Sequence, residues 1–227
     1  MTDGETGQDV RQAWQDLLAA ASGAGYAVGE LVRPPASAGQ VAAAEGAIGR
    51  RLPGDLAALY ELADGQVDWI VLVSGADGDK NRGRGRWAGS LFGAGWTFDS
   101  LEELKTQYQS WADIRGYYTP GELADDFDSA VEVRGDDPVK RLYTSADWIP
   151  FATDGGGNSL AADLAPEPGG SAGHVIVIGS DEDVRRVVAP SVLALLRLCA
   201  TRLRDPAMIP EPKDGVALYT LETRAGR

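Results

Sequence analysis

The sequence predicts an α+β protein: a mostly antiparallel sheet of about five to six strands, with N-terminal helices and a C-terminal helix packed against it. Three observations carry this. Helical and strand-like periodicities come in blocks, in the order helices, strands, a helix, strands, a helix, rather than in regular alternation. The second half holds short β-branched runs separated by Gly and Asp turns, the pattern of a meander. The chain has 227 residues, 44% of them apolar, which suits one core carrying insertions.

The elements follow in chain order. Residues 1–9 are acidic and polar and are expected to form a flexible leader. Val10, Trp14, Leu17, Leu18 and Ala21 then share one helical face, and Gly23 and Gly25 end that helix. Pro34 and Pro35 make an extended connector. Ser37 and Gln40 have the spacing of a capping box, and the helix they open turns Val41, Ala44 and Ile48 inward until Gly49. Leu52-Pro53 opens a third helix, with Pro53 suited to the first turn and Leu56, Leu59, Tyr60 and Ala63 on its apolar face. Asp64-Gly65 is a helix-ending turn, and Val67 to Val73 a strand.

Residues 74–89 read as a loop rich in Gly and charge, and 90–98 as strand with a glycine kink. Ser100 caps a helix that buries Leu101, Leu104, Tyr108 and Trp111. From about 112 to 145 the pattern is irregular and acidic, which marks an insertion. Strands are expected at Trp148–Phe151, Ser159–Leu164, His174–Ile178 and Val184–Val188, with a tight turn at Gly155-Gly156-Gly157 and a Pro/Gly loop at 165–173. Ser191 starts a helix with Val192, Leu195, Leu196, Cys199 and Leu203 on one face, and Asp205-Pro206 ends it. Residues 205–227 form a tail, with Val216 to Leu221 an edge-strand candidate.

Charge bounds the function. Asp plus Glu is 34 against 21 Lys plus Arg, a net of −13. Such a surface repels phosphate backbones and anionic membranes, which disfavours nucleic acid and lipid as partners. It favours a basic protein partner, because opposite fields speed encounter. The single Cys199 forms no intrachain disulfide, and the single His174 leaves no His/Cys set for structural zinc. No signal-peptide pattern opens the chain, and its apolar runs are too short to span a bilayer, so a cytoplasmic location is expected.

Several chemical motifs fail on inspection. Asp77-Gly78-Asp79 begins like a calcium loop, but Arg82 stands where the turn needs Gly and Ala88 where a bidentate Glu should close the shell. Gly83-Arg84-Gly85-Arg86-Trp87-Ala88 imitates a dinucleotide fingerprint but leads into no helix that could receive a pyrophosphate. The cations Lys80, Arg82, Arg84 and Arg86, with Trp87, remain a minor interaction candidate. Asp154, Asn158 and Asp163 have the chemistry to hold a metal or do acid–base work, but no nucleophile accompanies them, and turn formation accounts for the Asp and Asn. His174 opens an apolar strand and is expected to be structural. No metal or cofactor is expected. Asp125, Asp126 and Asp128, in the carboxylate-dense stretch Glu122–Asp137, are candidate contacts for a basic partner, and Trp148 is expected in the core or at the border of a binding face.

Pro35-Ala36-Ser37, Glu45-Gly46-Ala47-Ile48-Gly49, Leu52-Pro53-Gly54-Asp55-Leu56, Tyr60-Glu61 and Asp64-Gly65 together resemble the opening of the SUKH superfamily. Trp148-Ile149-Pro150-Phe151, Asp154-Gly155-Gly156-Gly157-Asn158, Leu160 with Asp163, Gly173-His174-Val175-Ile176 and the helix after Ala189-Pro190-Ser191 extend the likeness. The superfamily contains the yeast cell-wall assembly and killer-toxin-resistance regulator and many bacterial immunity proteins. The resemblance implies a single domain over 10–204, with insertions near 74–89 and 112–145. It implies a non-enzymatic protein-binding role, in which the region of Asp154, Asn158 and Asp163 shapes a binding face. The expected role is immunity, masking a basic toxin; the alternative is a cytoplasmic regulator or scaffold like the yeast protein.

Overall fold

A computed structural model describes residues 3–67, 69–71, 85–87, 90–93 and 95–205. Helix α1 (Asp3–Gly23) takes in most of the expected leader, so the chain is already helical at residues 3–9. After α2 (Val28–Leu31), the proline connector is tied to residues 60–64: Ala36 N–H donates to Tyr60 O at 2.9 Å and Asp64 N–H to Pro34 O at 2.9 Å. Helix α3 (Ala38–Ile48) begins with the expected capping box, Ser37 with Gln40, and stops at left-handed Gly49. Helix α4 (Gly54–Tyr60) starts one residue later than expected, with Pro53 at the N-cap position.

Strands β1 (Trp69–Val71) and β2 (Gly85–Trp87) pair antiparallel, Trp69 opposite Trp87. Part of the expected loop 74–89 is therefore strand. The basic positions Lys80, Arg82 and Arg84, like the tail from 206 with its expected edge strand, lie outside the described residues. Among the described residues of the 90–98 stretch only Thr97–Phe98 (β3) are strand, because Gly93 and Gly95 turn the backbone at positive φ just before it. Helix α5 (Leu101–Tyr117) buries Leu101, Leu104, Tyr108 and Trp111 as the spacing predicts.

The expected irregular insertion is structured. It contains a Thr119-capped turn, α6 (Pro120–Glu122), a π-type turn over Leu123–Phe127 and a 3-10 turn over Asp128–Ala130. It ends in strand β4 (Glu132–Val133). Then come β5 (Trp148–Thr153), β6 (Asn158–Asp163), β7 (His174–Gly179), β8 (Val184–Ala189) and α7 (Val192–Arg204). The six-stranded sheet has the order β3-β5-β6-β7-β8-β4, antiparallel throughout except for β4 alongside β8.

Both faces of this sheet are covered. On one face Ile149, Phe151, Leu160, Ala162, Val175 and Val177 join the main core under the helices, where α7 lies along α1. On the other, Trp148, Ala161, Ile176 and Ile178 pack with Trp111 and Val139, and with Leu142 and Tyr143 of the insertion. The unbroken apolar run of β7, buried at every position, is the signature of a strand between two layers. Helix α7 is anchored at its start: Ser191 Oγ accepts from Ala194 N–H at 3.1 Å and the buried Asp55 Oδ2 from Leu193 N–H at 2.9 Å.

Candidate functional site

The β5–β6 turn is built on glycine and closed by its two polar ends. Gly155 and Gly157 take positive φ, which permits the tight reversal. Asp154 Oδ1 accepts from Gly156 N–H at 2.7 Å and from Asn158 N–H at 3.0 Å; Oδ2 accepts from Asn158 Nδ2 at 2.7 Å. Asn158 Oδ1 accepts in turn from Asp181 N–H at 3.2 Å. Asp154 and Asn158 are therefore brought together, and their hydrogen-bonding capacity is largely spent on joining this turn to the β7–β8 turn.

Asp163 and Trp148 are not on that face. Asp163 is fully buried, its Oδ2 lies 3.2 Å from His174 Nε2, and its Oδ1 accepts from Ala165 N–H at 2.9 Å. Trp148 stands opposite Asp163 in the sheet register and is buried in the second core. Trp148 thus takes the core position that was one of its two expected places, with Leu142 and Tyr143 of the insertion packed in the same cluster, and Asp163, expected on a binding face, lies buried with neither side chain at the surface. His174, expected to be structural, is buried at the start of β7 against Asp163.

The acidic candidates divide. Asp128 Oδ1 accepts from Tyr143 N–H at 2.6 Å, so it holds two parts of the insertion together rather than facing outward. Asp125 and Asp126 are exposed on the π-type turn. Glu122 is exposed as well, and its carboxylate accepts from Thr119 N–H and Oγ1–H, both at 2.8 Å, which lowers its pKa. The insertion is nailed to the sheet by Arg185, whose guanidinium is fully buried. It donates to Leu142 O at 3.1 Å, to Tyr143 O at 3.0 Å and to Glu182 O, and lies 5.9 Å from the Trp148 ring. Desolvation lowers its pKa, opposed chiefly by Glu182.

Beside these carboxylates runs a line of rings absent from the sequence expectations. Trp111 meets Tyr143 at 5.5 Å, Tyr143 meets Phe127 at 4.9 Å, Phe127 meets Tyr118 at 4.8 Å, and Tyr118 meets Tyr117 at 4.9 Å. The line starts in the second core and ends at Tyr117, which is 81% exposed. A signal was present. Tyr117 falls sixteen residues after Leu101, nearly opposite the buried face of α5.

A shallow groove of about 350 Å³ lies beside α3, lined by Ala42, Glu45, Gly46, Gly49, Arg50 and Arg51. Its arginines are engaged, Arg51 with Glu45 at 2.8 Å and Arg50 with Asp147 at 3.5 Å. Among the described residues no group of three or more His, Cys, Asp or Glu is placed to hold a metal, and no helix is long and apolar enough to cross a membrane.

Residues 35–197 match the model of the SMI1 / KNR4 family (SUKH-1). The cell wall biosynthesis/cell cycle regulator smi1 of Schizosaccharomyces pombe is 34% identical over 134 residues, 57% of this chain and 26% of that protein. The glucan synthesis regulatory protein of Neurospora crassa is 43% identical over 65 residues, 29% of this chain and 12% of that protein. The cell wall assembly regulator SMI1 of Saccharomyces cerevisiae is 41% identical over 51 residues, 22% of this chain and 10% of that protein. The chain thus spans about a quarter or less of the length of these relatives.

Proposed function

Because the chain belongs to the SMI1 / KNR4 family (SUKH-1), we propose that it is a non-enzymatic docking domain that regulates by binding another protein, in the manner suggested by the names of its cell-wall regulator relatives. The observation that carries this reading is the extent of the family match, which runs from the proline connector through α3, α4, the whole sheet and into α7. The chemistry of the sheet residues is compatible with it: Asp154, Asp163 and His174, the acid–base candidates named from the sequence, are tied into turns and strand pairing. A cytoplasmic location goes with the reading.

Immunity against a basic toxin is the second reading, favoured by the −13 balance and the exposed Asp125 and Asp126. The relatives' names support the regulator reading better. Affinity capture from the native host, with the bound proteins identified by mass spectrometry, separates them. Specific recovery of proteins of cell-envelope synthesis supports the regulator, and recovery of a basic toxin domain supports immunity. A chain that recovers no protein specifically would overturn the docking proposal itself.

A further inference from the structure

We infer that the outer rings Tyr117, Tyr118 and Phe127, with the carboxylates of Asp113, Glu122, Asp125 and Asp126, form the docking surface for an arginine-bearing segment of the partner protein. This rests on the docking reading above and adds the place and the chemistry of the contact.

Four observations point there. Tyr117, 81% exposed, is the one large apolar side chain standing in solvent among the described residues. It is not isolated, since edge-on and tilted contacts of 4.8 to 5.5 Å connect it through Tyr118, Phe127 and Tyr143 to the buried Trp111. Rings braced in this way lose little freedom when a partner lands on them. The charge along this stretch of chain is mostly negative, although Arg141 donates to Ser129 O at 2.9 Å at its far end. Residues 113–128 contain five carboxylates and one cation, Arg115. That cation is turned inward, donating to Thr144 Oγ1 at 2.8 Å and lying 5.6 Å from the Tyr108 ring, so it neutralises none of the outer face. Asp113 stands one helical turn before Tyr117 on the same side of α5, and Asp125 and Asp126 immediately precede Phe127.

These features select one occupant. An exposed ring beside carboxylates suits a planar cation that stacks on the ring and forks to a carboxylate with the same group, which is guanidinium rather than ammonium. A purely apolar segment would bury the carboxylates unpaired. A second copy of this face would set like charges against each other.

The test uses the full chain and a fluorescein-labelled hexapeptide of alternating arginine and serine, with its lysine counterpart, read by anisotropy at 150 mM salt. The arginine peptide is expected to bind several-fold tighter than the lysine peptide. Tyr117→Ala should abolish that preference, a loss of about fivefold, and Tyr117→Phe should keep it. Asp125→Asn with Asp126→Asn should weaken both peptides. Glu61→Gln with Glu102→Gln, which removes equal charge and places one change at the far end of α5, should weaken neither. Tyr117 is exposed, so its variants should melt with the wild type. An arginine preference that survives Tyr117→Ala, or a Glu61/Glu102 variant as weak as the Asp125/Asp126 variant, overturns the inference. Native-host partners that are still captured by Tyr117→Ala at wild-type yield also overturn it, while leaving the docking reading intact.

Discussion

Asp99 carries the clearest residue-scale consequence. It is buried at the entry to α5, and its Oδ2 has no hydrogen-bond partner among the described residues. Burial pushes its carboxyl up to about 7, Glu103 adds to the effect and Arg33 opposes it. A carboxyl raised in the folded state binds its proton more tightly there than in the unfolded chain. The stability it supports is therefore full below about pH 4 and lost as pH rises toward 7, by up to about 4 kcal/mol. Asp99→Asn should match the wild type near pH 4 and exceed it at pH 7 to 8. Urea unfolding across that range is the check, and a wild-type-to-variant gap that does not change with pH would refute it. Gly65 makes a second case. It sits at φ +84°, and a Cβ there would stand 2.6 Å from Ser100 N, against the start of α5. Strained φ and backbone overlap add, so Gly65→Ala should cost about 3 kcal/mol or more, measured by the shift of the unfolding midpoint.

At the scale of elements, Arg185 joins β8 to the insertion, and its loss should act on that junction first. Arg185→Met leaves the Leu142, Tyr143 and Glu182 carbonyls without their donor and should cost about 3 kcal/mol or more. Arg185→Lys should not restore it, because one ammonium does not reproduce the planar fork. Hydrogen exchange should rise over residues 123–143 and far less in β5 to β7; a uniform rise would show that the insertion is no separate layer. The same junction shows where the sequence was legible. Capping boxes at Ser37 and Ser100 and the helical faces of α5 and α7 are local signals, and they placed those helices almost to the residue. The four strands β5 to β8 were equally clear from their β-branched runs between glycine turns. The insertion was not, because what organises it is remote: β4 pairs in parallel with β8 some fifty residues later, and Asp128 reaches Tyr143. Charge density alone made Asp128 look like its exposed neighbours. The turn around Gly155 was legible, but the hand-over from Asn158 to Asp181 depends on a second turn folding alongside.

For the whole molecule, the balance of 34 acidic to 21 basic residues means self-repulsion in the folded state. Raising monovalent salt from 50 to 500 mM should therefore raise the melting temperature by a few degrees, as the screening length falls below about 5 Å. A fall in melting temperature would show that attractive pairs such as Arg33–Glu103, at 3.2 Å, outweigh the repulsion. The sheet has a further consequence, in self-association. Its two outermost strands, Thr97–Phe98 and Glu132–Val133, are two residues each. Where β8 runs past β4, Asp137 Oδ2 accepts from Val187 N–H at 2.7 Å. Where β5 runs past β3, Pro150 carries no N–H. A foreign strand thus meets little free ladder on either margin, and concentrated solutions should resist edge-to-edge polymerisation into fibrils.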